Sequence, residues 1–431
     1  MTVLPVRSTG LVGRRPPAAL LRAPRYPEGL AGHTVTEKIL SAHSGRDARA
    51  GTVVVCRVDY ALGTDGSTPM ALDYFEAMGG SRVQHPERIV FALDHYAPAP
   101  SRHTAALHQR MRDFAALHGI PLWDVGDGIG HQLMVESGRA APGRLLVGAD
   151  SHAVTYGAVN CFGTGIGSSE LAAILIGGAI WLSVPESIRV VLTGALAPGV
   201  DAKDIALALA RELGADGAAY RALEFCGPAL GSLDLDDRLV LANLSVEMGA
   251  KNAIFPGEVA PDADARYCRE VEIALDSLVP QVALPHQVDR VVGVDAARGI
   301  GVQMVYLGTC TGGRARDFHR ARDVLRAGGG PAPGVQLVVT PASRSVLETL
   351  ARDGTLADFV AMGAVVGTPG CGSCCGTCAP IPGDGVNVIS TANRNFKGRM
   401  GNAQSAIYLA SPATCAAAAV RGAISDPREI A

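Results

Sequence analysis

Little net charge distinguishes this chain: over 431 residues the formal balance is only −3. No basic field is present to hold nucleic acid, and no long cationic cluster marks a membrane-facing surface. The longest apolar stretch, residues 171–184, falls short of the roughly 20 residues that a membrane-spanning helix needs, and reads as a buried helix. A signal peptide would show a basic start, an apolar stretch and a small-residue cleavage site, and that pattern is missing. Ten cysteines in so long a chain do not reach the density of a disulfide scaffold, which points to a reducing, cytoplasmic home. The first thirty residues hold five arginines and no acid before Glu28, but they lack an amphipathic helical period. Residues 1–33 are therefore expected to be a disordered extension and not a transit peptide.

What the sequence does have is glycine, 52 residues of it, and a concentration of cysteine. The stretch GTPGCGSCCGTC (367–378) sets Cys371, Cys374, Cys375 and Cys378 within eight residues, just after an apolar run that reads as a strand end. Thiolates this close, among glycines that let the backbone bend toward an ion, point to a metal or iron–sulfur site. Upstream, another apolar run at 304–307 empties into GTCTGGR and places Cys310 at the C-terminal end of a strand. Spacing alone leaves several groupings open. One cysteine followed much later by C-x2-C uses Cys310, Cys371 and Cys374, whereas C-x3-C-x2-C uses Cys371, Cys375 and Cys378, the spacing of radical-SAM enzymes. The latter motif sits early in a barrel, and too few residues follow Cys378 to build one. A four-cysteine zinc site would normally separate its pairs by a dozen or more residues.

Three further apolar runs end in loops that carry a histidine: Asp94-His95, GDGIGHQ with His131, and GADSH with Asp150, Ser151 and His152. Strands of one parallel sheet deliver their C-terminal ends to one edge, so these residues can converge although they are far apart in sequence. GTGIGSSE (163–170) has the wrong glycine spacing for a dinucleotide fingerprint and no evident strand before it. It is read as a tight loop that packs a helix N-terminus against the sheet. Other expected elements are a helix opening at Thr34 with a capping box to Glu37, strands at 52–55 and 188–193, and a helix at 204–213. Asn243, Glu247 and Lys251 stand at i and i+4 of a possible helix face, and 280–285 reads as a linker. Four more strands are expected near 302–307, 335–340, 364–366 and 386–389. The last empties into TANRNFKGR, whose Arg394 and Arg399 suit a substrate with several carboxylates.

In this order, TEKIL, LDH, GDGIGHQ, GADSH, GTGIGSSELA, VPESIRVVLTG, DAKDIALAL, GTCTGGR, PGCGSC, NRNFKGR and SPATCAAAA resemble the aconitase superfamily. Within it they are most similar to the large subunits of 3-isopropylmalate dehydratase and homoaconitase. The resemblance implies an α/β protein of three α/β/α domains around a central [4Fe–4S] cluster, divided here as 34–187, 188–284 and 285–431. It implies Cys310, Cys371 and Cys374 as the three cluster ligands, with one iron left open as a Lewis acid for a substrate hydroxyl. Asp94 and His95 take the place of the pair that protonates the departing hydroxyl. His131, Asp150, His152 and Glu247 match catalytic polar residues around that iron, Asn243 and Asn393 match asparagines near the cluster, and Ser151, Arg394 and Arg399 complete the substrate-binding set.

The implied activity is a hydro-lyase acting on a 2-hydroxy di- or tricarboxylic acid through an alkene, in leucine biosynthesis or a related malate-type pathway. The implied partner is a separate small subunit that carries the swivelling domain and the catalytic base, since aconitase bears both on a fourth domain. Two departures stand out: Gly312 replaces the asparagine of the family's Cys-Thr-Asn, and Cys375 and Cys378 are extra. The rival readings are an iron-sensing, RNA-binding regulator, which favours a basic cleft, and an electron-transfer protein, which needs four protein ligands to its cluster.

Overall fold

The computed structural model describes residues 32–430. Residues 1–31 of the expected extension lie outside that range, whereas His33 is buried and hydrogen bonded to Asp47 and Asp262. The first helix, Val35–Ser44, begins as expected: Thr34 accepts from the Glu37 amide, and the Glu37 side chain accepts from that of Thr34. A cap of this kind contributes about 1 kcal/mol.

Three sheets carry the architecture. The first is parallel and five-stranded, in the order Leu122–Trp123, Ile89–Ala92, Tyr60–Thr64, Leu145–Gly148, Phe162–Gly165. The second is parallel and four-stranded: Asn252–Ile254, Ala222–Cys226, Ser187–Thr193, Arg269–Ala274. The third has seven strands, in the order Val291–Gly293, Gln281–Ala283, Ala406–Ala410, Asn387–Ser390, Met304–Gly308, Gln336–Thr340, Val365–Val366. Its first two pairings are antiparallel and the rest parallel. Aliphatic cores flank each sheet. Where the first and second sheets approach, a Cβ on Gly157 would lie 1.6 Å from the Ala253 carbonyl oxygen, so only glycine fits there.

Several expectations need correction. A strand does precede the helix of GTGIGSSE: Phe162–Gly165 pairs with Leu145–Gly148, and the helix follows at Ser168–Gly177. Residues 171–184 are not one helix. Gly178 takes the left-handed conformation at φ +67 and ends it, and Ala179–Ser183 then pairs antiparallel with Val53–Arg57 in a two-stranded ribbon. The supposed linker at 280–285 contains strand Gln281–Ala283, whose backbone is taken up by the third sheet. The 243–251 stretch is also divided, with Asn243 on helix Leu235–Leu244, Glu247 in a 3-10 turn, and Lys251 donating elsewhere, to the Gly165 carbonyl.

Candidate active site

Parallel strands of the first and third sheets point their C-terminal ends at a common cavity of about 230 Å³. From the first sheet come Thr64, Gly66 and Ser67 after Tyr60–Thr64, His95 after Ile89–Ala92, and Asp150 and His152 after Leu145–Gly148. The third sheet supplies Thr309 and Cys310 after Met304–Gly308, Cys371 and Cys374 after Val365–Val366, and Asn393, Arg394 and Arg399 after Asn387–Ser390. Thr309 has φ +75, an outlier for a β-branched residue, and it turns the chain sharply just before Cys310.

Of the residues expected from sequence, Asp94, His131, Ser151, Asn243 and Glu247 stand behind the cavity wall and hold those that line it. Asp94 Oδ1 faces His95 Nδ1 at 2.8 Å, and its Oδ2 accepts from the Gly130 amide at 2.7 Å. The other ring nitrogen, His95 Nε2, lies 3.2 Å from Asp150 Oδ2. Burial alone would lower the His95 pKa, but Cys371, Asp94 and Asp150 outweigh it and raise it well above the ordinary value. Asp150 Oδ1 receives the His131 ring at 2.8 Å and the His152 amide at 2.8 Å. These contacts and His95 overcome desolvation and hold Asp150 well below the usual carboxylate range. His152 Nε2 meets Glu247 Oε1 at 3.1 Å, and both Glu247 oxygens accept from Arg394 Nε, at 2.7 and 2.9 Å. Arg394 also donates to Ser151 Oγ at 2.9 Å, so much of its fork is already engaged.

The thiols separate into two groups. Cys310, Cys371 and Cys374 line the cavity, while Cys375 and Cys378 turn away, their sulfurs 3.6 and 3.7 Å from the His95 carbonyl oxygen. Asn243 Nδ2 donates to Cys310 Sγ at 3.1 Å and Asn393 Nδ2 at 3.4 Å; Asn393 also donates to Asn243 Oδ1. Arg399 Nη2 lies 3.7 Å from Cys374 Sγ, and its buried Nε has no hydrogen-bond partner among the described residues. Burial raises the free Cys310 thiol to about 11, with the nearby Cys374 adding to the rise. The donor set therefore fits a thiolate-held iron–sulfur group: three sulfurs face one cavity, two amides and a guanidinium point at them, and one guanidinium N–H still lacks an acceptor.

The comparisons with known proteins decide the family. The family model described as "Aconitase family (aconitate hydratase)" matches residues 37–260 and 257–422. The chain belongs to the aconitase family. It is 44% identical over 417 residues to a protein of Thermotoga maritima named 3-isopropylmalate dehydratase large subunit 1, covering 92% of this chain and 99% of that one. It is 45% identical to a protein of Thermus thermophilus named homoaconitase large subunit, covering 93% and 98%. The crystal structure of aconitase X from Thermococcus kodakaraensis, in its holo-form, matches with a TM-score of 0.53 over 79% of this chain and 84% of that one, at 12% identity. That likeness bears on the fold, and the α/β aconitase-like architecture expected from sequence is the one observed. Family membership implies an iron–sulfur cluster in general terms.

Sequence reading missed several parts of the site. Thr64, Gly66, Ser67 and Thr309 line the cavity without having been singled out. Behind it, the carboxylate of Asp65 accepts from the amides of Asp94, His95 and Tyr96 and meets His108 Nε2 at 2.9 Å. The pattern that marked the other loops, an apolar run ending in a polar turn, is present in YALGTDGS. Among the described residues, no helix is long and apolar enough to cross a membrane.

Proposed function

We propose that this chain is the large subunit of an iron–sulfur hydro-lyase that dehydrates and rehydrates a substituted malate, a 2-hydroxy di- or tricarboxylic acid, by way of an alkene. The observation that carries the reading is a single cavity that joins Cys310, Cys371 and Cys374 to His95, a histidine clamped between two carboxylates. Relatives named for 3-isopropylmalate and for homoaconitase resemble the chain about equally, so the substrate class is wider than either name.

Cys310, Cys371 and Cys374 would hold a [4Fe–4S] cluster, with Asn243 and Asn393 donating hydrogen bonds to the Cys310 sulfur. When bound, such a cluster supplies a Lewis acid that weakens the bond to the substrate hydroxyl. The protein's own groups do the rest. His95, held in one orientation by Asp94 and Asp150, delivers the proton that the departing hydroxyl needs. Arg399, with its unpaired Nε, takes a substrate carboxylate, and Arg394, anchored by Glu247, presents what remains of its fork. The base that removes the substrate C–H proton resides on a separate small subunit, in keeping with the "large subunit" names of the relatives. The three sheets support a division into three domains, 34–187, 188–284 and 285–431, although strand Gln281–Ala283, before the last boundary, pairs within the third sheet.

The test is anaerobic reconstitution of the purified chain with iron and sulfide, followed by assay of alkene diacid hydration with and without its small subunit. Turnover that needs both proteins, and that Cys310→Ser, Cys371→Ser and Cys374→Ser each abolish, supports the reading. Full turnover by the chain alone would remove the two-subunit arrangement. A cluster spectrum that survives Cys374→Ser but not Cys375→Ser would overturn the ligand set.

A further inference from the structure

We infer that Tyr156 is a positioning residue, which locks His131 in the neutral tautomer protonated at Nε2 and so makes it a fixed hydrogen-bond donor to Asp150. In this arrangement His131 does not exchange a proton with substrate. Only the kinetic arm of the test below rests on the hydro-lyase reading.

The inference follows from counting donors and acceptors. His131 is buried, and each of its ring nitrogens has one partner: Nε2 lies 2.8 Å from Asp150 Oδ1, and Nδ1 lies 2.9 Å from the Tyr156 hydroxyl. Asp150 is an ionised carboxylate that can only accept, so Nε2 carries the proton. Tyr156 is fully buried, and among the described residues its hydroxyl has no other hydrogen-bond partner. Its hydrogen therefore has one acceptor available, Nδ1, which accepts only while the ring is neutral. An imidazolium would place two hydrogens between Nδ1 and the tyrosine oxygen and leave one of them unpaired in a dry interior.

Among the described residues, the His131 ring has no other hydrogen-bond partner. The titratable groups facing His131 are Asp150, Tyr156 and His152, whose ring centroid is 6.5 Å away. Behind it stands the backbone of Gly148, and on its own helix Glu136 is engaged with Gln132 and Ser343. The consequence reaches the cavity through Asp150. With Oδ1 satisfied by His131 and by the His152 amide, Oδ2 is left facing His95 Nε2 at 3.2 Å. Of the two histidines that meet Asp150 in this way, His95 is the one that lines the cavity.

The experiment is 15N NMR of the full-length chain, prepared anaerobically with ring-labelled histidine, with the His131 signals assigned by their loss in His131→Gln. The expected wild-type pattern is one protonated and one unprotonated ring nitrogen, the protonated one being Nε2. Tyr156→Phe is expected to lose that fixed pattern. Two protonated nitrogens in the wild type, or a Tyr156→Phe pattern identical to wild type, would overturn the inference.

The kinetic arm compares His131→Gln, a neutral N–H donor, with His131→Ala in the presence of the small subunit. A fixed donor predicts that the glutamine variant, which keeps an N–H toward Asp150, retains turnover about tenfold or more above that of the alanine variant. A proton-transfer role predicts a loss of about 10²–10⁴-fold for both variants. If the wild type itself shows no hydration of any alkene diacid, the hydro-lyase reading fails while the NMR result still decides the tautomer.

Discussion

The ammonium group of Lys203 lies 2.6 Å from the carbonyl oxygen of Ala392 and 3.1 Å from that of Thr391, directly before the Asn393-Arg394 pair that enters the cavity. A lysine on the second sheet's helix Ala202–Leu213 thus anchors a loop of the third sheet.

That contact has a pH signature. Burial lowers the Lys203 pKa from 10.5 to about 8, against the opposing pull of Cys415 and Asp201. Between about pH 8 and 10.5 the unfolded chain holds a proton that the folded chain has released, so unfolding free energy rises with pH across that window and not below it. The expected gain is about 3 kcal/mol. Denaturant midpoints for wild type and Lys203→Met, measured across the window, should diverge by that amount; parallel curves would show that the lysine is not buried as a cation.

Asn243 offers a test of how sulfur is held. Its Nδ2 donates both to Thr155 Oγ1, at 2.7 Å, and to Cys310 Sγ. Asn243→Asp keeps the shape but replaces that donor with a carboxylate oxygen. Iron bound per chain after anaerobic reconstitution should fall at least severalfold, since outer partners of metal ligands typically carry about 10–100-fold in affinity.

Gly312 explains one departure from the family pattern. A Cβ there would lie 2.4 Å from Thr391 Cβ and 2.7 Å from its Oγ1, and that hydroxyl is bonded to both the amide and the carbonyl of Gly308. Gly312→Ala is expected to cost about 1–3 kcal/mol by overpacking, read from chemical denaturation, and Gly312→Asn more. A neutral Gly312→Asn would mean that Thr391 can move aside freely.

The two arginines should respond differently to lysine. Arg399 has an unpaired buried Nε facing the site, so Arg399→Lys is expected to raise KM for a dicarboxylate about tenfold or more while stability changes little. Arg394 is bound to Glu247 and Ser151 within the protein, so Arg394→Lys should lower the unfolding midpoint as well. Equal KM and stability effects in the two variants would show that both are structural.

Much of the site was legible because its loops follow one grammar, an aliphatic run that fills a buried strand and then a polar turn at the sheet's open edge. His95, Asp150, Cys310 and Cys371 all announced themselves in that way. Strand Phe162–Gly165 did not, because half of it is glycine and its pairing is imposed by Leu145–Gly148. Tyr156 escaped notice because in sequence it is one more apolar residue after GADSH; only the 3-10 turn Ser151–Val159 brings its hydroxyl to His131. Sequence also could not show that Arg394 would be committed to Glu247, 147 positions earlier in the chain.

The seven-stranded sheet joins Gln281–Ala283 to Ala406–Ala410, and the cavity draws on residues from Thr64 to Arg399. During synthesis, then, the first sheet can form long before the pocket it helps to line. The third sheet closes only when the strand ending at Ala410 has left the ribosome. Cys310, Cys371 and Cys374 sit on two loops of that third sheet, so the strands that bring them to one cavity are completed late in the chain.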